Sequence, residues 1–243
     1  MSKVSFEIVI HEERLFFNDG EKYVLFDTGF ISNPFGRNSA SVNGKIGPFA
    51  VKTKASVFFR QFINMEINGC AVTAVFNPMD GFNCLLIGNT LTISDEEITA
   101  EGRYFLAFAD AGLPILEGRL NGTSCRFFFD SGARMTMIGE PLNEKIRTYT
   151  EWMAMAQYHA NLDVYRVHLE CPCGFKYDGE GALVNEIRYQ QAARGMGIKA
   201  MLGIDIFNEF DMAILVKGAK RGIVLIERKY FAPFTMQGTY SRV

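Results

Sequence analysis

Several protein classes are excluded by what this 243-residue chain has little of. No apolar run approaches the ~18 residues that a membrane-spanning helix requires, so no membrane partner is expected. Lysine and arginine number 25 against 27 acidic residues, for a net charge of −2. The basic residues form no cluster, and the electrostatic footprint of a nucleic-acid binder is missing. The first apolar stretch, Val4 to Phe6, is flanked by Lys3 and Glu7 and lacks the core of a secretory leader. Five cysteines, Cys70, Cys84, Cys125, Cys171 and Cys173, make an odd, scattered set rather than a disulfide framework. A reducing, cytoplasmic location is the expectation. Tryptophan occurs once, and neither a P-loop nor a G-x-S-x-G elbow is present.

What is there is apolar and β-forming. Apolar residues make up 48% of the chain, charged residues 21%, and phenylalanine alone contributes 22 positions. The length suits one large domain or two lobes. Val4 to Ile10 alternates with period two, and Tyr23 to Phe26 is a short apolar strand after an Asn18-Asp19-Gly20 turn. Ser56 to Ile67 and Ala71 to Phe76 flank Asn68-Gly69, a hairpin signal. Cys84 to Ile87, Tyr104 to Phe108 and Ile115 to Leu120 read as strands. Asn121-Gly122 turns the last of these into Cys125 to Phe129. Asp163 to Leu169 alternates, and Met212 to Val216 with Ile223 to Ile226 make a closing hairpin. Helical spacing occurs over Leu142, Ile146, Tyr149 and Trp152, and more weakly over Leu183, Ile187 and Gln190.

The informative feature is a doubled acid signature. Phe26-Asp27-Thr28-Gly29 and Phe129-Asp130-Ser131-Gly132-Ala133 each follow an apolar strand. Each has an apolar pair ending in glycine downstream, Leu86-Ile87-Gly88 and Met201-Leu202-Gly203. A single D-[ST]-G is most often a turn, because its residues are turn residues. Two copies with matching surroundings imply a site where two carboxylates meet. The segment from Leu113 through Ile138, with its strand, Asn-Gly turn, strand and D-S-G-A, resembles the opening of a retropepsin-like aspartic peptidase. Met201-Leu202-Gly203-Ile204-Asp205 is similar to the strand that closes such a lobe.

This resemblance implies an all-β, two-lobed, acid-protease-like β-barrel architecture with few short helices. The lobes would be 1–98 and 99–243, with charge rising between Ser94 and Gly102. Both acids lie on one chain, so a monomer with an intramolecular pseudo-dimer is implied. Asp27 and Asp130 would be the catalytic pair, with Thr28 and Ser131 bracing the two loops and Gly29 and Gly132 allowing close approach. Phe30 and Ala133 would line the substrate site. Two carboxylates ~4 Å apart repel by about 4 kcal/mol at an effective dielectric near 20, so the pair holds one proton. Its ionised member can activate a water and its protonated member can polarise a peptide carbonyl. The implied partner is a peptide or protein substrate, with no cofactor and no metal.

The first half departs from the pattern after Gly29, where Phe30 stands in place of a small residue. A catalytically silent module that binds a protein partner is therefore the alternative. Asn43 to Phe49 and Trp152 to Asp163 are the candidate flaps. His168, Cys171 and Cys173 lack a fourth ligand for zinc. A cysteine–histidine nucleophile has no local signature. Gly195-Met196-Gly197 precedes a strand rather than opening a helix, so it is not a dinucleotide fingerprint. Asn121-Gly122-Thr123 reads as a turn rather than a glycosylation site.

Overall fold

A computed structural model describes residues 3–11, 14–29, 42–53, 66–67, 70–139, 147–155, 158–185 and 187–228. In chain order, the first half contributes β1 (Lys3–His11), β2 (Arg14–Asn18), β3 (Tyr23–Phe26), β4 (Val42–Ile46), β5 (Phe49–Thr53), β6 (Glu66–Ile67), β7 (Cys70–Phe76), β8 (Asn83–Ile87) and β9 (Thr90–Ser94). The second half contributes β10 (Tyr104–Ala107), β11 (Ile115–Leu120), β12 (Thr123–Phe129), β13 (Thr136–Ile138), β14 (Arg147–Met155), β15 (Tyr158–Glu170), β16 (Lys176–Leu183), β17 (Ala200–Leu202), β18 (Phe210–Leu215) and β19 (Gly222–Glu227). Among the described residues there is one α-helix, Ile187–Met196, and two 3-10 turns, Pro78–Asp80 and Ile204–Phe207. The architecture is all-β with few short helices, as the sequence implies.

The two halves follow the same plan. Hairpin β2–β3 corresponds to β11–β12, and each leads into an acid. The acid strand then takes a parallel neighbour, β7 beside β3 and β17 beside β12. A 3-10 turn follows each parallel neighbour, and an antiparallel hairpin follows that: β8–β9 in one half, β18–β19 in the other. These hairpins meet edge to edge through β8 and β18. With β1 paired to β9 and β10 paired to β19, six antiparallel strands from both halves form one continuous sheet. In the second half, β11 pairs with β12 on one side and β15 on the other, which closes its strands into a barrel.

Burial follows from composition. All four residues of β3 are buried, as expected for a strand covered on both faces. Phe17, Phe26, Phe76, Phe127, Phe129, Leu202, Ile214 and Leu225 belong to one apolar cluster that runs through both halves. The Asn121-Gly122 turn has positive φ at both residues (47° and 78°), the geometry a two-residue hairpin demands. The Asn121 side chain accepts from the His168 backbone N–H at 2.7 Å, so the sequon asparagine is a turn residue.

One sequence expectation changes here. The helical spacing ending at Trp152 does not form a helix over its described part. Residues 147–155 are β14, paired with β15 from Arg147↔Tyr165 to Met155↔Tyr158. Thr148, Tyr149, Thr150 and Trp152 favour a strand once a partner is present. Leu142 and Ile146 lie outside the described residues. Helix does form over Ile187–Met196, the weaker signal.

Candidate active site

Each acid sits at the end of a buried strand, where the chain leaves the sheet. Asp27 N–H donates to the Phe76 carbonyl at 3.0 Å, and Asp130 N–H donates to Leu202 at 2.9 Å. The parallel neighbour thus fixes where each acid loop starts. In the second half that neighbour is Met201-Leu202, as expected. In the first half it is Val75-Phe76, followed by Asn77, and not Leu86-Ile87-Gly88. Gly88 instead turns the β8–β9 hairpin with φ 53°. Asn77 takes the place of the glycine and caps the following turn, its side chain accepting from Met79 N–H at 2.9 Å.

The acid loops are locked together by an exchange of hydrogen bonds. Thr28 N–H donates to Ser131 Oγ and Ser131 N–H donates to Thr28 Oγ1, each at 2.9 Å. Thr28 Oγ1 donates to the Phe129 carbonyl at 2.9 Å, and Ser131 Oγ donates to the Phe26 carbonyl at 3.2 Å. Both side chains are wholly buried. A hydroxyl both donates and accepts, so two hydroxyls satisfy four backbone groups from residues 101 to 105 positions apart in the chain.

Within each loop the carboxylate turns back on its own backbone. Gly29 N–H donates to Asp27 Oδ1 at 2.7 Å, and Gly132 N–H donates to Asp130 Oδ1 at 2.9 Å. Across the loops, a Cβ at Gly29 would overlap the Asp130 carboxyl, and one at Gly132 would overlap the Asp27 carboxyl. Each acid therefore rests on the opposite glycine. Neither glycine has positive φ. Space for the other loop's carboxyl, rather than backbone freedom, is what requires glycine here.

The carboxyls of Asp27 and Asp130 are hydrogen-bonded to each other. Burial raises the Asp130 carboxyl above the ordinary carboxylate range. The bond from Asp27, the N–H groups of Gly132 and Ala133 and the charge of Arg14 pull it back, and the net direction is upward. Tyr189, on the helix, donates its hydroxyl to the Met137 carbonyl at 3.3 Å. Burial, then the nearby Asp130 charge, raises its own ionisation, so it stays neutral.

Ala133 is buried with Met135, Met137, Leu162, Val164, Ala182 and Val184. This cluster joins the second acid loop to the base of the β14–β15 hairpin. Strand β16 pairs with β15 only from Val164 to Glu170. Beyond that point, Thr150 to Met155 and Tyr158 to Asp163 pair only with one another among the described residues, and form a two-stranded arm. This arm contains the second flap candidate. The first, Asn43 to Phe49, is the β4–β5 hairpin, and its Gly47 turn lies against Val4 and Phe6 of β1. Phe30 lies outside the described residues.

The remaining candidates are placed elsewhere. His168 pairs with Asp178 and with Glu170, its Nε2 lying 3.4 Å from Glu170. Burial pushes the Cys125 thiol up to about 11 and the Cys171 thiol up to about 12, which leaves little thiolate for nucleophilic work. No helix among the described residues is long and apolar enough to cross a membrane. One participant was missed by sequence reasoning: Arg14, whose Nε donates to the Gly132 carbonyl at 3.3 Å. Its only sequence signal is its position at the start of a strand that leads toward an acid.

No family profile matches the chain, and no curated protein does. Among solved structures it is similar to the foamy viral protease-reverse transcriptase in complex with an RNA/DNA hybrid, at 19% identity and TM-score 0.31 over 39% of this chain. The chain spans 11% of the length of that protein. It is also similar to the Simian Foamy Virus (mac) protease, at 20% identity and TM-score 0.28, over 38% of this chain and 89% of that one. A third similar structure is the aspartic proteinase from Irpex lacteus, at 10% identity and TM-score 0.48, over 98% of this chain and 100% of that one.

Proposed function

We propose that the protein is an aspartic-type endopeptidase in which Asp27 and Asp130 share one proton and hold the attacking water. The observation that carries this reading is the reciprocal seating of the two acids, each carboxyl over the other loop's glycine, under a hydroxyl exchange that fixes their separation. Such a pair cannot ionise twice without a large repulsive cost. Its ionised member accepts a proton from water as the water oxygen bonds to the peptide carbon. Its protonated member gives its proton to the carbonyl oxygen. When the tetrahedral species collapses, the C–N bond breaks, the leaving nitrogen takes up the proton the pair had taken from water, and one hydroxyl of the new acid returns its proton to the other carboxylate. The steps balance without a covalent enzyme intermediate.

One chain supplies both acids, so a monomer built from lobes 1–98 and 99–243 is the working unit. The substrate is an extended stretch of peptide or protein, bound by main-chain hydrogen bonds as an added strand. The β14–β15 arm, tied at its base to Ala133, would clamp it. Incubation with a peptide library from about pH 4 to 8, read by mass spectrometry, tests the reading. Cleavage by the wild type and none by D27N is the expected result. Silence of the wild type across that range would overturn it and leave the same site as a binding module.

A further inference from the structure

The two acid loops are matched in their hydrogen bonds but not in their surroundings. We propose that Arg14 is a positioning residue that makes them inequivalent: it grips the second acid loop from the first half and sets a fixed positive charge beside Asp130. This rests on the dyad reading above and goes beyond it by naming what breaks the symmetry of the pair.

The strand register matches Arg14 to a counterpart in the second half. Phe16 pairs with Leu25 in β2–β3, and Ile115 pairs with Phe128 in β11–β12. Leu25 and Phe128 both stand two residues before an acid, so Phe16 and Ile115 occupy corresponding places. Two residues earlier, Arg14 corresponds to Leu113. One position thus carries a guanidinium in the first half and an aliphatic side chain in the second. Arg14 Nε donates to the Gly132 carbonyl at 3.3 Å, in a partly buried bond between residues 118 positions apart. Gly132, like Gly29 in the other loop, touches both acids. Its N–H holds Asp130 Oδ1, and its Cα lies under the Asp27 carboxyl. A grip on its carbonyl therefore sets the height of both carboxyls at once.

Among the described residues, the groups facing Asp130 come from three elements besides its own loop. They are the Asp27 carboxyl from the opposite loop, Arg14 from β2 and the Tyr189 hydroxyl from the helix. Tyr189 stays neutral, and an arginine stays charged at any working pH. Among these groups Arg14 carries the fixed positive charge, and in a partly buried setting solvent screens it weakly. It favours the ionised pair, so both proton losses of the dyad fall at lower pH with Arg14 than without it.

The test is a carbon-13 NMR titration of aspartate-labelled protein, wild type against R14L and R14K, beside the pH profile of kcat/KM on a cleaved peptide. R14L installs the residue of the corresponding place. R14M, which keeps the apolar stem, replaces it if R14L does not fold. Loss of the charge is expected to move both dyad titrations, and both limbs of the profile, to higher pH. R14K is expected to leave the titrations near the wild type while lowering kcat, because a lysine keeps the charge and loses the fork geometry. A coupled dyad titration that R14L or R14M leaves unmoved would overturn the Arg14 inference alone. Two aspartates that titrate independently in the wild type would instead overturn the dyad reading on which it rests.

Discussion

Replacing Thr28 with valine isolates the exchange that holds the two acid loops together. Valine keeps the shape and removes the hydroxyl, so no large cavity opens. Two backbone groups lose their partner: the Ser131 N–H, which donates to Thr28 Oγ1 at 2.9 Å, and the Phe129 carbonyl, which accepts from it at 2.9 Å. The site is wholly buried, and water has no ready access to replace either bond. Each buried group left unsatisfied costs about 1–3 kcal/mol, and partial relaxation brings the pair to ~2–4 kcal/mol. For a chain of this length that lowers Tm by roughly 6–12 °C. T28S keeps both bonds and loses one methyl, for about 1 kcal/mol. Urea unfolding followed by circular dichroism reads both variants. S131A removes the partner hydroxyl, and T28V/S131A is expected to fall short of the sum of the single losses by more than ~0.5 kcal/mol, because both act on one interface. A T28V protein within ~0.5 kcal/mol of the wild type would refute the reasoning, since two buried orphans cannot be that cheap.

Three further outcomes follow from the same geometry. G132A places a methyl into the Asp27 carboxyl; a displacement of about 1 Å at a reacting group is expected to lower kcat/KM by ~100-fold with the far-ultraviolet spectrum unchanged, and activity near the wild type would contradict it. D130N is expected to melt above the wild type at neutral pH. The folded Asp130 carboxyl is raised by burial, so its contribution favours the folded state below the ordinary carboxyl range and is lost as pH rises through the folded value. The gap should close on acidification, and melts at stepped pH would contradict this if it widened. N83A tests the seam between the halves, where buried Asn83 accepts from Val216 and Lys217 N–H at 2.6 and 2.9 Å and donates to the Glu96 and Lys217 carbonyls at 2.7 and 3.2 Å. A loss of about 3–5 kcal/mol is expected in denaturant titration, and a change under ~1 kcal/mol would count against it.

The second half was the more legible in sequence. Asp130-Ser131-Gly132-Ala133 and Met201-Leu202-Gly203 both sit where the spacing places them, because strand, turn and closing pair all carry their usual residues. In the first half the closing pair was hidden. Phe76-Asn77 does the work of Leu202-Gly203, and an asparagine that caps a turn gives no glycine to find. Leu86-Ile87-Gly88 imitates that pattern, yet its glycine serves a hairpin. The apparent helix ending at Trp152 failed for a different reason. Its spacing is local, whereas pairing with Tyr158 to Tyr165 is not, and tertiary pairing wins over weak periodicity. Arg14 was invisible because its partner is a backbone carbonyl 118 positions away, and no residue pattern encodes such a contact.

Asp27 and Asp130 are proposed to act as one unit on one water. The most direct test is kcat/KM on a single cleaved peptide for the wild type, D27N, D130N and the double variant. Each single variant is expected to lose more than ~1,000-fold and the double variant no more than either, because residues acting as a unit do not add. Full activity in either single variant, or losses that multiply in the double, would contradict it.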